Sequence, residues 1–192
     1  MPVPDDLPML TFADQAAFEA WLEDEHRSSP GIYVRIAKKG APVPTLAQSE
    51  MVESLLCFGW IDGRVNRLDE FSFLTRVTPR RPKSVWSQKN VTWVAELLAA
   101  GRMRPAGLAA VEAAQADGRW ERAYAGPATI TVPDDLAAAL MAVPGAQQEF
   151  ESLDATNRYA VLWRVATAAT PATRANRIGA LVQMLAEGRR FH

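Results

Sequence analysis

CFGWIDGRVNRLDEFSFLTRVTPRRPKSVWSQKN, residues 57–90, is the stretch from which the rest of the chain is read. Residues 61–66 and 71–78 are two strand-like runs rich in β-branched and aromatic side chains, joined by Arg67-Leu68-Asp69-Glu70, which reads as a β-hairpin. On the second run Phe71, Phe73, Thr75 and Val77 share one face, and Ser72, Leu74 and Arg76 share the other. A register centred on the turn sets Asp62 near Arg76. A slip of one residue undoes that pair.

Upstream, residues 45–58 read as a helix. Thr45-x-x-Gln48 resembles a capping box, Val52, Leu55 and Leu56 form an apolar stripe, and Gly59 suits the residue after the helix end. Residues 32–37 read as a half-buried strand, with Ile32, Val34 and Ile36 on one face and Tyr33 and Arg35 on the other. Residues 12–25 read as a helix, with Phe18, Trp21 and Leu22 on one stripe. Residues 1–10, rich in proline, read as an extended arm. Downstream of Ser84 the chain reads as helical. Val91, Val94, Leu97 and Leu98 precede Gly101, and Pro105 opens a helix reaching Asp117. Further helices begin at Asp134, after Pro144-Gly145, at Asp154 or Thr156, and after Thr170-Pro171. The last of these points Ile178, Leu181, Val182 and Leu185 inward. The expected class is α+β: a small antiparallel sheet with packed helices, then a helical C-terminal part. The loop Ala125-Gly126-Pro127 divides the chain into residues 1–125, which hold the central basic and aromatic motif, and residues 126–192.

The charge is segregated although the net formal charge is −1. Residues 1–26 hold seven acids and no Lys or Arg, and residues 157–192 hold six arginines and one acid, Glu187. Between Leu74 and Asn90 lie Arg76, Arg80, Arg81, Lys83 and Lys89 with no acid. Pro79 and Pro82 bracket the arginine pair and hold it extended. Such a run creates a local positive field, or else pairs with the acidic start. Arginine presents a planar fork of donors suited to phosphate or carboxylate, Ser84 or Ser87 can cap the following helix, and Trp86 offers a face for stacking. The competing reading makes Trp86 core and the arginines structural.

Other chemistry has less to build on. Cys57 sits near a helix C-terminus between Leu56 and Phe58, which suits a packed thiol rather than a nucleophile. His26 and His192 are the only histidines, so neither a Ser-His-Asp or Cys-His arrangement nor a zinc site is expected. No dinucleotide or phosphate-loop signature is present, and no cofactor is expected. Asp62, between glycine-flanked residues and near arginines, is the one candidate general base; it can equally orient Arg64 or Arg76. No run is long and apolar enough to suggest membrane insertion, and the first ten residues lack a signal-peptide pattern. A cytoplasmic protein is expected.

The motifs CFGWIDG (57–63), TPRRPKSVWSQKN (78–90) and AGRMRPAG (100–107), together with Thr173-Arg174 and Arg177, resemble the YdeI/OmpD-associated, or bacteriocin-protection, family. The resemblance implies a protective role against bacteriocins, or a stress role, without an assigned reaction. Three functional expectations follow. The first is a non-enzymatic protein binding a small anionic molecule or protein partner through Trp60, Asp62, Arg76, Arg80, Arg81, Lys83, Trp86 and Asn90. The second is an enzyme on a small phosphorylated or carboxylated substrate with Asp62 as base. The third is nucleic-acid binding by the central and C-terminal arginines. The sequence does not choose an oligomeric state.

Overall fold

A computed structural model describes residues 6–191; the part of the expected N-terminal arm over residues 1–5 lies outside the described residues. The backbone divides into two compact units, residues 1–84 with 90–118, and residues 85–89 with 119–192. The loop signal at residues 125–127 marks a different place from this division, because Trp120 and Tyr124 pack with Trp86 and Trp163 respectively, all within the second unit.

The first unit is built on a four-stranded sheet: β1 (Met9–Thr11), β2 (Ile32–Ala37), β3 (Trp60–Arg67) and β4 (Ser72–Pro79), in the order β1-β2-β4-β3. The hairpin β3–β4 forms, and β4 pairs antiparallel with β2 as well. The sheet is mixed rather than wholly antiparallel, because β1 adds to β2 in parallel. A strand of three residues has no detectable period, so the proline-rich start conceals it. Through the register Ile32↔Val77, Val34↔Thr75 and Ile36↔Phe73, the buried side chains Ile32, Val34, Ile36, Thr75 and Val77 share one face.

Helix α1 (Gln15–Glu25) starts where Asp14 accepts a hydrogen bond from the Ala17 N–H at 2.9 Å. It buries Phe18 and Leu22. Helix α2 (Gln48–Cys57) begins three residues later than Thr45, and the capping pattern expected there does not form. The Thr45 hydroxyl instead accepts from the Ala37 N–H at 2.8 Å, closing the end of β2, while Glu50 accepts from the Ala47 N–H. Met51, Ser54, Leu55, Leu56 and Cys57 are buried, and Val52 lies at the edge of that stripe. Helices α3 (Gln88–Ala99) and α4 (Pro105–Ala116) follow. Helix α3 starts at Gln88 rather than Ser84, and the division between the units falls in its first turn. It buries Val94 and Leu97, whereas Leu98 is exposed. Its end is a Schellman turn, with Gly101 at φ +67° and the Arg102 N–H on the Leu97 carbonyl.

The second unit contains α5 (Asp134–Met141), α6 (Pro144–Ser152), α7 (Ala155–Ala166) and α8 (Pro171–Ala186). Asp154 caps α7 and Thr170 caps α8, each as its sequence position suggests. Leu136, Leu140, Phe150, Val161, Leu162 and Val165 pack with Ile178, Leu181, Val182 and Leu185 in one core. The segment 85–89 joins this unit through a parallel bridge, Ser87↔Tyr124, in which the Tyr124 N–H meets the Trp86 carbonyl and the Gln88 N–H meets the Tyr124 carbonyl.

Candidate functional site

Two of the sequence motifs lock onto each other in the first unit. The Arg104 N–H donates to the Cys57 carbonyl at 3.1 Å. Gly107 in α4 lies so close to the end of α2 that a Cβ placed there would stand 2.2 Å from the Cys57 carbonyl oxygen. Gly59, at φ +71°, faces the Ala106 carbonyl in the same way. Around this joint Arg102 reaches Glu53 at 2.8 Å and Glu19 at 2.9 Å, and Arg104 reaches Glu23 at 2.7 Å. Ser54 also donates to Glu19, and Gln15 donates to Ser54. CFGWIDG and AGRMRPAG are therefore two halves of one α2–α4 joint, clamped by acids of α1 and α2. No local pattern announces this role for AGRMRPAG, because only the tertiary fold brings Arg102 to Glu19 and Glu53.

Cys57 belongs to the same joint. It is buried, and burial pushes its thiol up to about 11, with Arg102 opposing the shift. The thiol is thus kept protonated at neutral pH. The unfolded thiol ionises near 9 while the folded one keeps its proton to about 11. Stability therefore falls as pH rises through that window, since the unfolded state binds fewer protons there. Denaturant titrations from pH 8 to 11 should show a decline that is shallower in Cys57→Ala; equal slopes in the two proteins would place the titration elsewhere.

The eight candidate binding residues have different surroundings. Trp60 is 1% exposed, stands edge-on to Trp21, and donates from Nε1 to the His26 carbonyl at 3.2 Å. Asp62 pairs across the hairpin with Val77, one residue away from the register that would set it opposite Arg76, and a bulge follows it. Arg76 pairs across β2 with Tyr33, and its guanidinium meets Asp6 at 3.3 Å. The Tyr33 hydroxyl donates to the same carboxylate at 3.0 Å and, with Arg76, holds the Asp6 carboxyl below its ordinary range. Asn90 lies in the first turn of α3, and Trp86 is buried in the second unit edge-on to Trp120.

Arg80, Arg81 and Lys83 remain on the turn after β4. That turn is fixed by the Arg80 N–H on the Gly59 carbonyl at 3.0 Å, the Arg81 N–H on the Ser84 hydroxyl at 2.9 Å, and the Ser84 N–H on the Arg81 carbonyl. Ser84 thus shapes the turn. Arg80 is partly covered; Arg81 and Lys83 are exposed. Among the described residues, no carboxylate lies within ion-pair reach of Arg81 or Lys83. Elsewhere the basic regions do pair with acids. In the C-terminal part Arg174 holds Asp135, Arg190 holds Glu149 and Arg189 holds Glu187. Arg174 and Arg177 also donate to the Val165 and Arg164 carbonyls, so both close the C-terminus of α7, where its dipole favours a cation.

Comparison with known families places these features. Residues 10–110, more than half of the 192, match the family described as Domain of unknown function (DUF8412). The chain belongs to the DUF8412 family. Residues 129–188 match the family described as Bacteriocin-protection, YdeI or OmpD-Associated, as the resemblance implied. The central motifs lie within or beside the DUF8412 helices and sheet, while Thr173-Arg174 and Arg177 lie in the second match. No curated protein and no solved structure matches the chain.

Proposed function

We propose that this DUF8412 protein, carrying a bacteriocin-protection-type C-terminal segment, is a cytoplasmic binding protein that takes an anionic ligand or partner at the Arg80–Lys83 turn. One observation supports the reading most: Arg81 and Lys83 project from a hydrogen-bonded turn with no carboxylate in reach among the described residues, whereas Arg35, Arg76, Arg102, Arg104, Arg174, Arg189 and Arg190 are each committed to an acid. A cation held by a rigid turn loses little entropy when it meets a phosphate or carboxylate. Arg80 extends the patch, with Pro79 and Pro82 limiting the backbone conformations of the unbound turn. Trp60 and Arg76 support the surface from within the sheet rather than meeting the ligand.

The test is a thermal-shift screen with nucleotides, sugar phosphates, small carboxylates and short oligonucleotides, repeated on Arg81→Ala/Lys83→Ala. Both side chains are exposed, so the variant should keep its unliganded stability to within ~0.5 kcal/mol. A ligand at about 100 times its dissociation constant raises stability by about 2.7 kcal/mol. That gain should be present in the parent protein and absent from the variant. A gain that survives the double substitution, or no gain from any class of anion, overturns the reading. Oligonucleotide binding that weakens steeply with salt would assign the turn to nucleic acid.

A further inference from the structure

Strand β3 lies at one side of the sheet and, among the described residues, pairs with β4 alone. Its other edge presents backbone N–H and C=O groups to no neighbouring strand, which makes it a template for one. Gly63, Val65 and Arg67 are exposed, Val65 at 52%, so this stretch is open to solvent. The pairing with β4 sets Asp62 opposite Val77, Val65 opposite Thr75 and Arg67 opposite Phe73. Val77, Thr75 and Phe73 alternate along β4, so Asp62, Val65 and Arg67 are successive positions on one face of the sheet. The bulge between Asp62 and Val65 makes this so: in a regular strand Asp62 and Arg67 would point to opposite faces.

Neither charge on this edge is spent within the chain. Among the described residues, no ion pair involves Asp62 or Arg67. A strand added here must offer a base to Asp62, an apolar side chain to Val65 and an acid to Arg67. Run antiparallel about Val65, β3 itself offers that set. We infer that β3 is a self-association edge, which takes the β3 of a second copy of this chain about a twofold axis at Val65. Val65 then faces Val65 of the second copy, and Asp62 faces Arg67 on both sides of the axis. One four-stranded sheet continues into the other, through an interface that is closed and identical on the two copies. An axis at Asp62 or at Arg67 would instead set like charges opposite each other, which is unfavourable.

No residue of the Arg80–Lys83 turn takes part, so this inference and that reading can fail independently. The test is sedimentation equilibrium of the full chain from micromolar to millimolar protein. A monomer–dimer equilibrium is expected, weakening as salt rises because the two ion pairs lie at the surface. Asp62→Arg and Arg67→Asp should each weaken association at least about tenfold, since the twofold axis makes every substitution act twice. Asp62→Arg/Arg67→Asp should restore association to within about threefold of the parent, and Arg81→Ala/Lys83→Ala should leave it unchanged. Val65→Cys tests the register without altering a charge. Residues facing each other across antiparallel strands have Cα atoms about 4.5–5.5 Å apart, within disulfide reach, so mild oxidation should link this variant into a covalent dimer. Cys57 is buried and does not compete, and Val43→Cys, at an exposed position outside the edge, should not link. A parent protein that stays monomeric to millimolar concentration, a dimer indifferent to the single charge reversals, a double reversal that fails to restore it, or Val65→Cys linking no faster than Val43→Cys would overturn the proposal.

Discussion

Gly107→Ala should unfold the first unit at a much lower denaturant concentration than the parent protein, by about 3 kcal/mol or more. A Cβ at this position would lie 2.2 Å from the Cys57 carbonyl oxygen and 2.6 Å from that of Leu56. Both obstacles are backbone, so no rotamer change relieves them, and α4 must move away from the end of α2. Overpacking typically costs 1–3 kcal/mol where side chains can adjust, and here they cannot. Displacing α4 also strains the Arg104 N–H bond to Cys57 and shifts Arg102 away from Glu19 and Glu53. Gly179→Ala is the matched control. Gly179 is in α8, exposed, with nothing near its would-be Cβ, so alanine there should stabilise by ~0.5–1 kcal/mol through helix propensity. Hydrogen exchange resolves the two units: Gly107→Ala should accelerate amides of β2 and β4. A Gly107→Ala protein with parent-like exchange there would show that the joint can open without loss.

That joint also shows where the sequence is legible. Alternation found β2 to the residue, and the helical period identified the inward set of α8, because those patterns depend on local geometry alone. Cap chemistry located the start of α8 for the same reason and left α7 with two candidate caps, Asp154 and Thr156, of which Asp154 is the one that caps. Thr45 misled, since its hydroxyl has two possible backbone customers and the edge of β2 wins over the helix. β1 was hidden by its length. The hairpin was legible, but its register was not: Asp62 stands opposite Val77, one residue from Arg76, and the shift between Asp62 and Val65 is invisible to a count outward from the turn. For the candidate site, the density of positive charge drew attention to residues 76–89, yet charge density says nothing about pairing. Arg76 is matched by Asp6, seventy residues away, whereas Arg81 and Lys83 meet no acid among the described residues. Only the folded chain distinguishes them.

Trp60→Ala should destabilise the first unit by about 3–5 kcal/mol, the range for truncating a fully buried large aromatic side chain. Trp60 is 1% exposed, its ring stands 5.7 Å from that of Trp21 at 88°, and Phe18 stacks on Trp21 at 3° beyond it. The indole is therefore one end of an aromatic series that ties the start of β3 to α1. Its Nε1–H also satisfies the His26 carbonyl at the end of α1, where the helix has no further partner to offer that oxygen. Trp60→Phe separates the two contributions. It keeps most of the ring packing and removes the donor, leaving a carbonyl in need of a partner, a loss of about 1–3 kcal/mol. A tryptophan that packed a ligand at the surface would behave in the opposite way, losing binding on truncation while stability stayed within about 1 kcal/mol. Urea unfolding of the two variants, followed by tryptophan fluorescence and by exchange at β2, decides between these roles. A large loss in Trp60→Ala with a smaller one in Trp60→Phe makes Trp60 the floor of the sheet. A stable Trp60→Ala protein would return the residue to the binding surface, and the anion-binding turn would then extend across β3.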